Sequence, residues 1–268
     1  MSYPNTVASL ASDLAALGIQ PGMTLLVHSS LSALGWVAGG PVAVVYALEQ
    51  ALGPQGTLVM PTHTTSLTEP SRWANPPVPE AWWETIRRET PAYDPALTPT
   101  RKMGAIVECF RGQPGTLRSQ HPHVSFAARG PFAARIVAQH RLEAGLGEGS
   151  PLARVYELGG HVLLLGVGHG NNTSLHLAEY RANFAGKTFE SQGAPIFVDG
   201  VRQWAIFDDL NWNDEDFDQI GADFAADTGL ECTGRIGIGT GRLMPQPELV
   251  DYAVLWMERR RLAPGKDG

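Results

Sequence analysis

From position 6 the apolar residues Val7, Leu10, Leu14 and Leu17 recur at helical spacing, with a polar cap before them and Gly18 after them. That spacing predicts an amphipathic helix at the start of the chain. Residues 24–28 predict a short buried strand, 41–52 a helix with Pro41 at its first position and Gly53 past its end, and 57–60 another strand. The alternation recurs further on. Ser150-Pro151 starts a helix that ends at Gly159, the apolar run from Val162 to Leu165 marks a strand over 161–166, and 173–182 predict a helix. Residues 196–198, Asp199-Gly200 and 201–207 predict a hairpin, because Asp-Gly supplies the positive φ angles of a type I′ turn. A helix near 215–227, a strand near Ile236 and a helix over 247–259 complete the pattern. The fold class this predicts is α/β, as a single domain over 1–268.

Between residues 62 and 100 the pattern breaks into a stretch carrying Trp73, Pro76, Pro77, Pro79, Trp82, Trp83, Pro91, Pro95 and Pro99. It is too long for an ordinary connection, and its aromatic content argues against disorder, so a folded flap is expected there.

The chain has 268 residues, 43% of them hydrophobic, enough for a sizeable core. The net charge is -7, and no basic cluster is longer than Arg259 to Arg261, so nucleic acid is not an expected partner. An acidic excess suits a polycationic ligand, and it is equally what ordinary soluble proteins carry. The apolar runs are short and the first residues show no basic segment followed by an apolar one, so no membrane partner and a cytoplasmic location are expected. Cys109 and Cys232 stand in no disulfide or zinc-binding pattern, which suits a reducing compartment.

The segment richest in candidate chemistry is Gly166-Val-Gly-His-Gly-Asn-Asn-Thr-Ser-Leu-His-Leu-Ala-Glu179, leaving a buried strand through a glycine-rich turn into a helix. Ligands of α/β sheets collect at the carboxyl ends of strands, where the first helical turn offers free N–H groups. His176 and Glu179, three residues apart, share a helix face, so the carboxylate can orient the imidazole as a general base. Spacing alone leaves open that His176 is a satisfied core histidine and Glu179 a solvated helix residue. A second candidate is the loop through His28, Ser29, Ser30 and Leu31 to Gly35, Gly39 and Gly40, whose amides could cradle a pyrophosphate or whose glycines could serve turn geometry only. A third is the acidic run Asp208, Asp209, Asp214, Glu215, Asp216 and Asp218, also readable as a solvated face. GxSxG and HExxH are absent, and no catalytic metal is expected.

Taken in order, five blocks resemble the aminoglycoside 3-N-acetyltransferase (Antibiotic_NAT) family: Leu25-Leu-Val-His-Ser-Ser-Leu31; Gly56-Thr-Leu-Val-Met-Pro61; His121-Pro122 with Ser125-Phe-Ala-Ala; Ser150-Pro-Leu-Ala-Arg-Val-Tyr-Glu-Leu158; and Val162 to His169 through Thr173 to Glu179. The resemblance implies a three-layer α/β/α sandwich distinct from the GNAT acetyltransferases. It also implies acetyl-CoA as donor and direct transfer to an amine without an acyl-enzyme. By resemblance His176 is the base and Glu179 its acidic partner, and the loop from His28 to Gly40 holds CoA with Arg101 or Lys102 on a phosphate. His169, Asn172, Asp208, Asp209 and Trp73 would meet the acceptor, an aminoglycoside or other polyamine-like molecule. Gly170 stands where members of the family carry an aspartate. The alternatives are an acyltransferase of the same fold acting on a different amine metabolite and a non-catalytic CoA-binding or antibiotic-sequestering protein. A homodimer is the default expectation for such enzymes.

Overall fold

Thr6 and Ser9 cap each other's backbone amides, at 3.1 and 2.8 Å, and so start helix α1 (Val7–Leu17), which ends at Gly18 with φ 115°. The structure, a computed structural model, describes residues 3–64 and 66–261. Strand β1 (Thr24–Ser29) is buried along nearly its whole length, as a strand covered on both faces must be. Helix α2 (Gly40–Leu52) carries Pro41 in its first turn and stops at Gly53, and strand β2 (Thr57–Pro61) follows it.

The flap is folded. It contains a short 3-10 turn over Pro70–Arg72 and helix α3 (Glu80–Glu89), which buries no residue. Polar bonds hold it beside the buried Leu67, Pro70 and Tyr93. Arg87 binds the Glu69 carboxylate through both Nε and Nη2, at 3.2 and 2.6 Å, and Arg202 Nε donates to the Thr90 carbonyl at 3.1 Å. Beyond the flap come α4 (Ala105–Arg111), β3 (Leu117–Arg118), β4 (Phe126–Arg129) and α5 (Ala133–Val137). The hydrophobic pattern predicts none of these four. They are short, and the Phe-Ala-Ala-Arg of β4 has no alternation because both of its faces are buried.

Helix α6 (Pro151–Glu157) is capped by Ser150, and β5 (His161–Leu165) leads through a 3-10 turn over His169–Asn171 into α7 (Ser174–Arg181). The hairpin of β6 (Phe189–Val198) and β7 (Val201–Leu210) turns at Asp199-Gly200 as predicted, both at positive φ, with arms of ten residues rather than the shorter ones expected. Helix α8 (Phe217–Thr228), strands β8 (Cys232–Ile236) and β9 (Gly239–Pro245), and helix α9 (Gln246–Arg260) follow. The single strand expected near Ile236 is thus an antiparallel pair.

Seven strands form one sheet in the order β3-β4-β2-β1-β5-β9-β8, with β1 parallel to both neighbours, β2 and β5, and the outer strands antiparallel. Helices α1, α2 and α4 pack one face, around Leu25, Val27, Leu48 and Phe110; α5 to α9 pack the other, around Leu26, Val162, Phe217 and Phe224. This is a three-layer α/β/α arrangement. Its consequence for function is that the carboxyl ends of β1, β2 and β5 emerge side by side.

Candidate active site

Each of those three strand ends contributes to one place. His28 and Ser29 come from β1, Pro61 and His63 from β2, and Val167 and Thr173 from the turn after β5; with Lys102 they line a cleft of about 90 Å3. His28 Nε2 lies 3.3 Å from Thr173 Oγ1. Burial, with His176 close by, pushes the His28 imidazole down to about 3, and burial with His28 and His176 does the same for His63. Both are therefore neutral at physiological pH and unfit to take a proton from an ammonium ion. His63 Nε2 and Ser29 Oγ have no hydrogen-bond partner.

His176 sits on the first turn of α7 and is differently equipped. Its Nδ1 donates to Glu179 Oε2 at 2.8 Å, which fixes the ring orientation and leaves Nε2 as the lone-pair nitrogen. Glu179 is buried, and its other oxygen accepts from Arg261 Nη1 at 2.7 Å and the Asn213 amide at 2.9 Å. Arg261 in turn grips Asp216 through Nε and Nη2 at 2.8 and 2.6 Å. Three donors, His176 Nδ1, Arg261 Nη1 and the Asn213 amide, thus converge on one buried carboxylate. The imidazole packs edge-on to Phe217, with ring centres 4.8 Å apart, and tilted against Trp212 at 5.5 Å.

Trp212 separates two larger spaces. One, of about 500 Å3, is lined by Glu179, Asp214, Glu215 and Arg261; the other, of about 300 Å3, by His63, Glu190, Gln192 and Asp209; Asn211 and Trp212 belong to both. A third, of about 460 Å3, brings Trp73 of the flap together with Arg101 and Lys102. A cavity of about 580 Å3 near Gly53 and Gly130 lies at the opposite end of the sheet, where Arg129 is paired with Glu49. Its lining carboxylate, Glu49, is tied up by Arg129, so the chemistry belongs at the carboxyl ends.

The residues singled out in the sequence fall into three groups. His28, Ser29 and Lys102 meet at the cleft; Ser30 Oγ pairs with Ser32 at 3.1 Å; Leu31 leads into the 3-10 turn at Ser32–Leu34; Gly35 lies under Ile238; Gly39 and Gly40, both at positive φ, open α2. His176 and Glu179 are paired as expected. The acceptor set is redistributed. His169 is buried and bound to Glu231 at 2.8 Å, its ring so tight against Gly221 that a Cβ there would lie 2.1 Å away. Asn172 is buried and its side chain accepts the Ser174 amide at 3.2 Å, serving the start of α7. Asp208 points outward on β7, because alternation sends its neighbour Asp209 inward. Asp209 accepts from the Tyr180 hydroxyl, and burial raises its carboxyl above the usual range. His169, Asn172 and Asp209 are thus engaged in building the fold, and Asp208 faces outward. At Gly170 the amide donates to Asp218 Oδ1 at 2.9 Å, and a Cβ would lie 3.5 Å from the other oxygen. An aspartate there, as in the family pattern, would set two carboxylates against each other.

Sequence reasoning did not single out His63, Tyr180, Trp212 or Arg261. His63 follows the β2 end as His28 closes β1, a parallel that could have flagged it. Arg261 was hidden as the last of three consecutive arginines. Among the described residues no group of three or more His, Cys, Asp or Glu is arranged to hold a metal ion, and no helix is long and apolar enough to cross a membrane.

A carboxylate-oriented histidine thus stands beside a cleft walled by two neutral imidazoles. Residues 26–258 match the family model for aminoglycoside 3-N-acetyltransferases (Antibiotic_NAT), and the chain belongs to that family. It is 46% identical over 256 residues to the SPbeta prophage-derived aminoglycoside N(3')-acetyltransferase-like protein YokD of Bacillus subtilis, covering 95% of this chain and 93% of that one. It is 38% identical to aminoglycoside N(3)-acetyltransferase VII of Streptomyces paromomycinus, covering 96% and 93%. The crystal structure of YokD superposes with a TM-score of 0.94 at 44% identity over 97% of this chain and 96% of that one. The structure of AAC-IIIb with CoASH gives 0.88 at 32% over 98% and 100%, and AAC-VIa bound to sisomicin gives 0.87 at 31% over 97% and 100%.

Proposed function

We propose that this enzyme transfers the acetyl group of acetyl-CoA directly to the 3-amino group of a 2-deoxystreptamine aminoglycoside, with His176 as general base. The observation that carries the proposal is the Arg261–Glu179–His176 chain, which presents an oriented imidazole nitrogen beside His28 and His63, two rings that burial keeps neutral. An amine protonated at pH 7 is not a nucleophile until a base near neutral pKa removes its proton. His176 Nε2 takes that proton and the nitrogen lone pair attacks the thioester carbon. The carbonyl electron pair moves to oxygen, where backbone amides or the hydroxyls of Ser29, Ser30 or Thr173 are the available donors. When the carbonyl reforms, the C–S bond breaks and the CoA sulfur leaves with its electron pair, to be protonated from His176, while the new amide nitrogen gives up its remaining surplus proton to water.

CoA belongs along the loop from His28 to Gly40, its pyrophosphate at the uncapped amino end of α2 and Arg101 or Lys102 near a phosphate. AAC-IIIb with CoASH supports the donor, and AAC-VIa with sisomicin the acceptor class. Both cysteines are free, as suits the cytoplasm. The test is thiol release from acetyl-CoA with gentamicin or apramycin beside simple alkylamines. Release with the aminoglycosides, and a product heavier by one acetyl group on the 3-amine, is the expected result; release with alkylamines alone would move the acceptor elsewhere.

A further inference from the structure

Trp212 is anchored at its edge and open on its face. Its indole Nε1–H donates to the Tyr180 hydroxyl at 2.9 Å, and that hydroxyl donates to the buried Asp209, whose Oδ1 also accepts the Leu210 amide at 2.9 Å. The backbone on either side is pinned as well, the Asn211 amide to the Thr188 carbonyl and the Asn213 amide to Glu179, both at 2.9 Å. A tryptophan held this way for packing alone would bury its ring; this one keeps 36% of its surface exposed. It stands against the His176 imidazole and between two cavities whose linings carry Glu190 and Asp209 on one side and Asp214 and Glu215 on the other. Arg261, the cation lining the second space, is committed to Glu179 and Asp216.

We infer that Trp212 is the acceptor platform: a polycationic aminocyclitol lies against its indole, with flanking ammonium groups drawn into the two acidic spaces and the reacting amine set at His176. Asp209 and Tyr180 are positioning residues that hold the indole at the angle the base requires. The chemistry suits such a ligand. An aromatic face attracts the C–H edge of a sugar-like ring and an adjacent ammonium together, and an indole fixed by its N–H loses little freedom on binding. Cavities of 300 and 500 Å3 are each of ligand size. Asp209, buried on β7, thus serves the acceptor through two intervening side chains.

This inference rests on the proposed acceptor class, so its test reads binding apart from turnover. Calorimetric titration of gentamicin into the native protein is compared with Trp212→Leu, Trp212→Phe and Tyr180→Phe, alongside steady-state kinetics. Trp212→Leu is expected to weaken gentamicin binding roughly tenfold, to raise the KM for gentamicin to match, and to leave the KM for acetyl-CoA and the shape of the pH profile of kcat/KM unchanged. Trp212→Phe should recover part of the affinity. Tyr180→Phe should lower kcat more than it raises KM, because the platform remains while its angle is lost. Native-like gentamicin binding by Trp212→Leu overturns the inference, as does an equal loss for acetyl-CoA. Failure of the native protein to bind gentamicin would instead remove the acceptor reading beneath it. An unchanged melting temperature verifies that Trp212→Leu keeps the fold.

Discussion

At the scale of single residues the site is a contrast between imidazoles. His28 and His63 are driven to the neutral form by burial, whereas His176 is given an anionic partner. The partnership of His176 and Glu179 was legible in the sequence because a helix places residues three apart on one face. Arg261 was not legible, since it reaches Glu179 from 82 positions away, and nothing in the run of Arg259, Arg260 and Arg261 marks the third as the one turned inward. Its guanidinium neutralises two carboxylates and is itself only 10% exposed. Replacing Arg261 with alanine leaves Glu179 buried beside its histidine without a counter-charge. The expected outcome is a loss of about 3 kcal/mol in stability, read from chemical denaturation, with a fall in kcat as Glu179 loses the bond that fixes it beside His176. An unchanged denaturation midpoint would show that water replaces the guanidinium at no cost.

At the scale of elements, the turn after β5 is where fold and site share the same residues. The glycine-rich run from Gly166 reads in sequence as a ligand loop, yet two of its polar side chains are spent inward. His169 fills the space above α8 beside Glu231, and Asn172 supports the first turn of α7. What sequence could not reveal is that Gly221 of α8 and Glu231, just before β8, come from the far end of the chain to receive His169. Gly221 on α8 is the contact point. Gly221→Ala would drive a methyl group into the His169 imidazole, so α8 must shift or the His169–Glu231 bond must break. A destabilisation of about 2 kcal/mol is expected from overpacking of this kind, again measured by denaturation, with the His176 end of α7 disturbed in turn. A fully native midpoint would mean that the turn is looser than the packing indicates. The predicted elements that held were those with caps or periodicity: α1 with its Thr6 cap, the Asp199-Gly200 hairpin, β1 and β5 with their unbroken apolar runs. The short, doubly buried β4 and the segments around it carry no such signal.

At the scale of the molecule, one three-layer body keeps several histidines uncharged in its interior. Burial lowers His28 and His63 to about 3 and His123 and His140 to about 4, against 6.5 for an exposed imidazole. Between 6.5 and those values the unfolded chain binds protons that the folded chain refuses, so ν is larger in the unfolded state and stability rises with pH. Stability is therefore complete above about 6.5 and is lost progressively as the pH falls toward 4; melting temperatures recorded across that window should decline steadily, and a flat profile would contradict the burial of these rings. The same architecture brings His176 from one helix, Glu179 from its next turn and Arg261 from the end of α9 to one point. The most direct test of that assembly compares native protein and His176→Ala in thiol release from acetyl-CoA with gentamicin, with CoA binding measured on both. Turnover reduced by roughly 10²- to 10⁴-fold with CoA affinity preserved is the predicted result. Near-native turnover by His176→Ala would contradict it and assign the base elsewhere.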